Sequence, residues 1–282
     1  MARPTHNLTL HGPDRPGIVA AVTGLLAEHG GNIREAQQFN DRLTDRFFMR
    51  VAFAVDAVEP FRDAFGTLAD ELDMSWRLRD ASTPKRVLVM VSKFDHCLVD
   101  LLYRTRSGEL SMDLVGVVSN HAREHLPADL GGAPFHHIPV TKGTKAEAES
   151  ELLQLVRDTD AELVVLARYM QILSDGLARE LGGRCVNIHH SFLPGFKGAR
   201  PYHQAHRRGV KIIGATAHFV TPDLDEGPII AQGVEPIDHS DTPDDLVVRG
   251  RSIEARVLST AVRALLEDRV LPNGDRTVVF GG

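Results

Sequence analysis

The sequence has little cysteine and no long apolar run, and each shortage excludes a class of protein. Among its 282 residues are two cysteines, Cys97 and Cys185, too few for a disulfide framework and too far apart for a zinc motif. Unpaired cysteines are typical of a reducing compartment, so a cytoplasmic protein is expected. No apolar run approaches the roughly 18 residues of a membrane span, and the first residues lack a signal-peptide core. We therefore expect no membrane partner.

Basic residues are also not in excess. Lysine and arginine number 32 against 38 aspartate and glutamate, which gives a net charge of −6. Binding to nucleic acid needs a basic surface, so no nucleic-acid partner is expected. The chain has 14 histidines, but it contains no His-Glu-x-x-His motif and no cysteine pair. We therefore expect no metal site.

Residues 1–80 are predicted to form a small domain of the βαββαβ type. Apolar residues alternate in the predicted strands and recur every three or four positions in the predicted helices. The strands are predicted at 7–11, 32–40, 46–55 and 75–79, and the helices from Ile18 to the Gly30-Gly31 pair and over 59–72. This order of elements is that of a ferredoxin-like sandwich.

The stretch from Asp80 to Pro84 is polar and ends in proline, which predicts a linker at 81–84. Residues 85–282 are predicted to form a larger α/β domain. Its first strand, 86–92, is apolar throughout, as expected for a parallel sheet with both faces covered. Strands then alternate with helices, which predicts a doubly wound, mostly parallel sheet. The later strands are predicted at 113–119, 162–167, 185–189, 212–221 and 228–236, and the helices at 95–106, 145–158, 176–181, after Pro201 and at 243–266.

Candidate catalytic residues stand at the end of the strand 185–189. The strand closes with Asn187-Ile188-His189 and runs into a Pro- and Gly-rich loop that extends to Gly198. Alternation along the strand puts Asn187 and His189 on one face, and open α/β sheets bind ligands at such strand ends. Farther on, Asp225 lies in a tight turn. Amide, imidazole and carboxylate together can move an acyl group, although the spacing alone fits turn residues before Pro194 equally well.

Several segments resemble the formyltransferase family that uses 10-formyltetrahydrofolate. They cover 187–198, 214–221 and 224–230 in that order, and the similarity extends through 119–120 and 166–173. It covers roughly residues 85–282. Asn187, His189 and Asp225 fall on the catalytic Asn, His and Asp of that family.

The resemblance implies a role for each of these residues. Asn187 would donate to the developing oxyanion, His189 would donate or shuttle a proton, and Asp225 would hold the attacking water. The segment that follows strand 162–167 would bind the folate substrate, through Arg168, Met170, Gln171, Ile172 and Leu173. The alternative for the apolar members of this segment is that they are core residues at a strand end. No cofactor is expected besides the folate, which is the substrate.

The N-terminal domain resembles an ACT domain. The resemblance rests on the turn Gly12-Pro-Asp-Arg-Pro-Gly17, the helix that follows, and Gly30-Gly-Asn-Ile33. It implies an amino-acid effector, methionine as activator and glycine as inhibitor, and a homodimer or homotetramer. Candidate effector residues are Asp14, Gly17 and Asn32. The alternative is that these are turn and cap residues in a domain that only oligomerises.

The segment after the strand 86–92 bears on the formyl acceptor. Family members that formylate glycinamide ribonucleotide carry a glycine-rich phosphate loop there, whereas Val91 to Leu98 contain no glycine and include Asp95. Together with the His136-His137 pair, the segment 187–191 and the ACT-like domain, this segment resembles the members that hydrolyse 10-formyltetrahydrofolate to tetrahydrofolate and formate. Two alternatives stay open: a formyltransferase with a small-molecule acceptor such as glycinamide ribonucleotide, and a folate or amino-acid sensor without catalysis.

Overall fold

A computed structural model describes residues 3–195 and 201–282, and the chain divides into two compact units. The first unit comprises residues up to Pro84 together with 267–273 and 278–282, and the second comprises 85–266 and 274–277. Phe196 to Gly198, the last part of the predicted catalytic loop, lie outside the described residues. Within the described part of the chain, no helix combines the length and apolar character needed to cross a membrane.

The first unit is built on a four-stranded antiparallel sheet with the strand order β2-β3-β1-β4. Its elements are β1 (Thr5–Pro13), α1 (Ile18–Glu28), β2 (Asn32–Asp41), β3 (Arg46–Ala54), α2 (Glu59–Glu71) and β4 (Ser75–Asp80). The predicted βαββαβ order is confirmed. Its core forms because α2 places Phe61, Phe65 and Ala69 on one buried face, one turn apart. Phe61 packs edge-on against Phe53 of the sheet, with ring centroids 5.1 Å apart.

The second unit contains a seven-stranded sheet covered by helices. Its strands are β5 (Lys85–Val91), β6 (Met112–Ser119), β7 (Phe135–His137), β8 (Leu163–Leu166), β9 (Cys185–His189), β10 (Ile212–Phe219) and β11 (Ile229–Pro236). Its helices are α3 (His96–Arg106), α4 (Lys145–Asp158), α5 (Asp175–Glu180), α6 (Pro201–Arg208) and α7 (Pro243–Leu266). The predicted alternation of strands and helices is therefore confirmed, with the short strand β7 as an addition.

The strand order of this sheet creates a place for a ligand. The order is β11-β10-β9-β8-β5-β6-β7, parallel from β9 to β7 and antiparallel where β10 and β11 join. The chain winds away from β5 in both directions, so β5 and β8 form the topological switch point. Ligands of open α/β sheets bind outside the carboxyl ends of strands at such a point.

The end of the chain differs from the predicted domain of residues 85–282. The short strands β12 (Val270–Asn273) and β13 (Arg276–Val279) pair with each other, and most residues after Leu266 belong to the first unit. There Leu271 and Phe280 pack on Phe48, and Asn273 Nδ2 donates to Asp41 Oδ2 over 2.7 Å. The periodicity of four-residue strands is too short to predict them, and their partners are more than 200 residues away in sequence.

Candidate active site

Asn187 and His189 lie at the end of β9, an inner strand of the larger sheet. β9 pairs with β8 on one side and with β10 on the other. The apolar residues Cys185, Val186 and Ile188 are buried and hold the strand in the core. The strand end therefore presents an amide and an imidazole from a rigid position.

Asp225 reaches this pair from a tight turn after β10. Its backbone φ is +58°, in the left-handed region that aspartate tolerates better than most residues. A Cβ at Gly227 would overlap the carbonyl oxygen of Phe219, so only glycine lets the turn lie so close to β10. As a result, Asp225 Oδ1 lies 3.2 Å from His189 Nδ1. The structure thus brings the imidazole and carboxylate of two distant segments into contact.

The contact with His189 keeps Asp225 ionised. A hydrogen bond from His189 is the largest influence on the pKa of the Asp225 carboxyl, and it holds that pKa below its usual value against the opposing effect of burial. His189 Nδ1 therefore carries a hydrogen. His189 Nε2 is buried and has no hydrogen-bond partner within residues 3–195 and 201–282. This nitrogen is the atom of the ring that is left for a substrate.

His218 is a member of the site that the sequence did not single out. It lies opposite Asn187 in the β9–β10 register and is 2% exposed. Its Nε2 is 3.3 Å from Asn187 Nδ2, and its Nδ1 is 2.8 Å from the Phe219 carbonyl oxygen. Burial lowers the pKa of His218 below its usual value. The available signal was its place in the segment 214–221, which resembles the formyltransferase family.

Asn187, His189 and Asp225, the catalytic triad predicted from the sequence, line a cleft of about 1090 Å³, including its solvent-open mouth. Residues 168–173, the predicted folate segment, form one wall, and the segments around Asn187 and Asp225 form another. Met170 is 52% exposed and Ile172 is 60% exposed, so these two are not core residues. Leu173 is partly buried against the core. The predicted folate and catalytic residues therefore line one cleft.

Polar contacts at the carboxyl ends of the inner strands fix the shape of this folate segment. Arg168 has a φ of +66°, and its carbonyl oxygen accepts a hydrogen bond from Ser92 N over 3.2 Å. Ser92 Oγ accepts from Met170 N over 2.9 Å and donates to Asn120 Oδ1 over 2.6 Å. The polar residues that follow β5, β6 and β8 thus meet at the switch point and bend the chain toward the cleft.

Two family models match the chain in the order of its two units. Residues 6–70 match the model described as ACT domain, and residues 85–262 match the one described as Formyl transferase. A protein of Corynebacterium sp. (strain P-1) named formyltetrahydrofolate deformylase is 54% identical over 279 residues, which cover 98% of each chain. The chain belongs to the formyltetrahydrofolate deformylase family.

Solved structures agree with membership of the formyltetrahydrofolate deformylase family. The crystal structure of formyltetrahydrofolate deformylase from Burkholderia mallei ATCC 23344 matches with a TM-score of 0.94 at 52% identity, over 99% of this chain and 100% of that one. Glycinamide ribonucleotide transformylase 1 from Symbiobacterium toebii matches with a TM-score of 0.64 at 29% identity, over 71% of this chain and 95% of that one. The transformylase therefore resembles only part of this deformylase-family chain.

The link between β5 and α3 is unsuited to phosphate in this member of the deformylase family. Residues 92–95 contain no glycine, and Asp95 occupies the N-cap of α3 without a side-chain capping bond. The N-terminus of a helix attracts phosphate through its free N–H groups, but a carboxylate placed there repels a phosphate. The structure thus agrees with the sequence in disfavouring a nucleotide acceptor at this edge.

A buried ionic cluster lies behind the folate segment. Glu254 of α7 accepts hydrogen bonds from His96 Nε2 over 2.9 Å and from Tyr202 Oη over 2.6 Å, and its Oε2 lies 3.2 Å from Arg168 Nε. Burial alone would raise the pKa of Glu254, but these three partners hold it below its usual value. The Arg168 guanidinium is therefore engaged with Glu254, and the backbone of Arg168 is the part that shapes the folate segment.

The same cluster contains the one group of possible metal ligands among the described residues. One atom each of His96, Cys97 and Glu254 lie within 4.8 Å of one another. The carboxylate already has three partners, one of them the Arg168 cation, and burial raises the pKa of the Cys97 thiol well above its usual value. A protonated thiol and an occupied carboxylate are poor ligands, so the cluster does not suit a metal ion.

The predicted effector residues do not lie together within one chain. Asp14 accepts from Asn40 Nδ2 over 2.7 Å, and Gly17, with a φ of +94°, begins α1 at the same end of the unit. Asn32 begins β2, eight residues before Asn40, which corresponds to roughly 26 Å along an extended strand. The structure therefore places Asp14 and Gly17 in one region and Asn32 in another.

Proposed function

We propose that this chain hydrolyses 10-formyltetrahydrofolate to tetrahydrofolate and formate, with water as the formyl acceptor. The observation that carries the proposal is the 3.2 Å contact of His189 with Asp225 beside Asn187, at the cleft formed by the folate segment. Relatives that match the whole chain are named for this reaction, which supports the same assignment.

The chemistry follows from the charges and donors of the triad. Asp225, ionised at neutral pH, orients a water molecule toward the formyl carbon, and the Asp225–His189 pair takes up the proton of the attacking water. Negative charge then develops on the formyl oxygen, where an N–H of the Asn187 amide stabilises it. When the bond from carbon to N10 breaks, the pair delivers the proton to the nitrogen. The products are formate and tetrahydrofolate.

The folate segment supplies the binding surface in this proposal. Met170 and Ile172 expose apolar side chains at the cleft, which suits them to flank a flat aromatic ring. Gln171 and the backbone of 168–173 offer polar groups to the edge of that ring. Arg168 serves through its backbone bend, since its side chain is paired with Glu254. The folate is substrate, and the proposal includes no cofactor.

The test is a formate assay on the purified chain with 10-formyltetrahydrofolate and no added acceptor. Asp225→Asn removes the charge that contacts His189 and should lower kcat by roughly 10²-fold or more. The matched control is Asp223→Asn, an exposed carboxylate on the same turn, which should leave the rate within about twofold.

Added glycinamide ribonucleotide separates hydrolysis from formyl transfer in the same assay. The proposal expects formate to be released at the same rate and no formylated ribonucleotide to form. Formylated ribonucleotide that accumulates without release of formate would assign the chain to the transferases. Tight folate binding without any formate would identify a sensor.

We further propose that the N-terminal unit is regulatory. Its match to the ACT domain supports binding of an amino acid near Asp14 and Gly17, and Asn32 would contribute from a second copy of the chain. Among residues 3–195 and 201–282, no strand pairs with the outer side of the edge strand β2, which suits β2 to side-by-side pairing in a homodimer or homotetramer. Methionine should then raise and glycine should lower the rate of formate release. Identical rates with and without both amino acids would contradict regulation while leaving hydrolysis intact.

A cytoplasmic location belongs to the same proposal. The thiols of Cys97 and Cys185 are free and buried, as is usual for proteins of a reducing compartment.

A further inference from the structure

His218 stands where it can control the orientation of the Asn187 amide. The two residues are directly opposite each other in the antiparallel pairing of β9 and β10. His218 Nε2 lies 3.3 Å from Asn187 Nδ2, and the ring is almost completely buried. Asn187 itself is only partly buried and borders the cleft. One face of the amide is therefore held by the protein, and the other is open to a substrate.

The tautomer of His218 is set by its second nitrogen. Nδ1 lies 2.8 Å from the carbonyl oxygen of Phe219, and a carbonyl oxygen can only accept, so Nδ1 carries the hydrogen. That carbonyl cannot move away easily, because Phe219 N donates to Pro228 O over 2.9 Å and Gly227 is packed directly against it. The turn that carries Asp225 thus also fixes the proton of His218.

The charge state of His218 leaves a lone pair on Nε2. Burial is the largest influence on the pKa of this ring and lowers it, and His189 acts in the same direction. Asp225 Oδ1 is 3.8 Å from Nε2, beyond hydrogen-bond distance, and is already engaged by His189. The hydrogen bond to Phe219 and the charge of Asp225 oppose the effect of burial without reversing it. A neutral ring with its hydrogen on Nδ1 can only accept at Nε2.

An acceptor at this point decides which end of the Asn187 amide faces it. The nitrogen end must turn to His218 and donate one hydrogen, and the second hydrogen is then free for another acceptor. Without the acceptor, the amide could rotate by half a turn and present its oxygen to the formyl oxygen, which would repel the developing negative charge. We propose that His218 is a positioning residue that locks the Asn187 amide in the orientation in which its second N–H stabilises the oxyanion. This inference rests on the proposed hydrolysis and deepens it.

A double-mutant cycle in the formate assay tests the inference. Asn187→Ala should lower kcat by roughly 10²–10³-fold, the usual effect of losing one oxyanion donor. His218→Phe removes the acceptor and should lower kcat by about tenfold or more, with KM within about twofold. In the Asn187→Ala background, His218→Phe should add less than about twofold, because its target is already gone. His239→Phe, at an exposed histidine, is the matched control and should leave kcat unchanged.

A second pair of variants keeps the test decisive if the phenylalanine variant does not fold. Gln is long enough to place an acceptor where Nε2 stands, whereas Asn is too short to reach it. His218→Gln should therefore retain most of the activity, and His218→Asn should lose about as much as His218→Phe. Additive losses in the cycle, or equal activity of the Gln and Asn variants, would overturn the positioning role. Failure of the unaltered chain to release formate would instead overturn the proposed function.

Discussion

His190 is a mostly buried ring beside His189, and its charge state links stability to pH. The pKa of His190 is lowered to about 4, first by burial and second by the positive charge of Arg168. An unfolded chain protonates this ring near the ordinary value of about 6.5, so the unfolded state binds more protons between these two values. The stability contributed by the neutral ring is therefore complete above about pH 6.5 and is lost as the pH falls toward 4.

This linkage predicts a measurable loss in mild acid. Between about pH 7 and about pH 5, His190 alone should cost roughly 2 kcal/mol of unfolding free energy, and the lowered pKa values of His218, His121 and His11 add to it. Urea unfolding at both pH values measures the difference. His190→Gln should flatten the pH dependence, whereas His203→Gln, at an exposed site on α6, should leave it as it is. A stability that does not change over this range would contradict the linkage.

The residues of the site were partly predictable. Asn187, His189 and Asp225 were predicted because their motifs are local, and Met170 and Ile172 because the segment 166–173 resembles the formyltransferase family. His218 was missed as a site residue, since a histidine in an apolar strand is not distinguished by sequence from a core residue. The engagement of Arg168 with Glu254 was also missed, because the pair joins residues 86 positions apart that share no periodic pattern.

At the scale of elements, α7 ties together parts of the second unit through Glu254. Its carboxylate contacts α3 through His96, α6 through Tyr202, and the folate segment through Arg168. Gly250 lies one turn earlier on α7, where any larger side chain would overlap the Tyr202 ring. Removing one partner of a buried ion pair leaves the other charge uncompensated, which costs more than the pair contributes.

Glu254→Gln should therefore lower the unfolding free energy by roughly 3 kcal/mol. Gln keeps the size and can still accept from Tyr202, so the loss reports the unpaired Arg168 cation. Combining it with Arg168→Gln should recover part of that loss, because both charges are then absent. Glu235→Gln, in the exposed pair with Arg256, is the control and should cost less than about 1 kcal/mol. A double variant as unstable as the sum of its single changes would argue against this account.

Helices and strands were predicted correctly where the apolar pattern repeats over many residues or where the apolar run is unbroken. The buried strand β5 and the long helix α7 have such patterns, and both lie close to where they were predicted. β7 is a three-residue strand at the edge of the sheet, partly exposed, and shows no alternation long enough to recognise. Short edge strands form because they pair with a neighbouring strand, and the periodicity of the local sequence does not indicate that pairing.

At the scale of the whole molecule, the last residues of the chain complete the first unit. Phe48 lies on β3, where the rings of His11 and Phe39 stack on it from within residues 1–84. Leu271 and Phe280 cover it, and the Asn273–Asp41 hydrogen bond fixes the returning chain. The three hydrogen bonds that Asp41 accepts, from Asn273, Leu43 and Thr44, lower its pKa to about 2. The chain passes from the first unit to the second after Pro84, and it returns to the first unit after Leu266.

This arrangement predicts that a residue near the end of the chain stabilises the N-terminal unit. Phe280→Ala should lower the unfolding free energy of that unit by roughly 3 kcal/mol, because it opens a cavity against Phe48. The only tryptophan, Trp76, packs on Phe65 in the same unit, with ring centroids 5.1 Å apart, so its fluorescence follows that unit alone during urea unfolding. Val279→Ala, at the exposed neighbouring position, should change the fluorescence midpoint very little. An unshifted midpoint in Phe280→Ala would show that the first unit is stable without the contacts of the returning segment. The linker predicted at residues 81–84 would then mark the end of the independently stable domain.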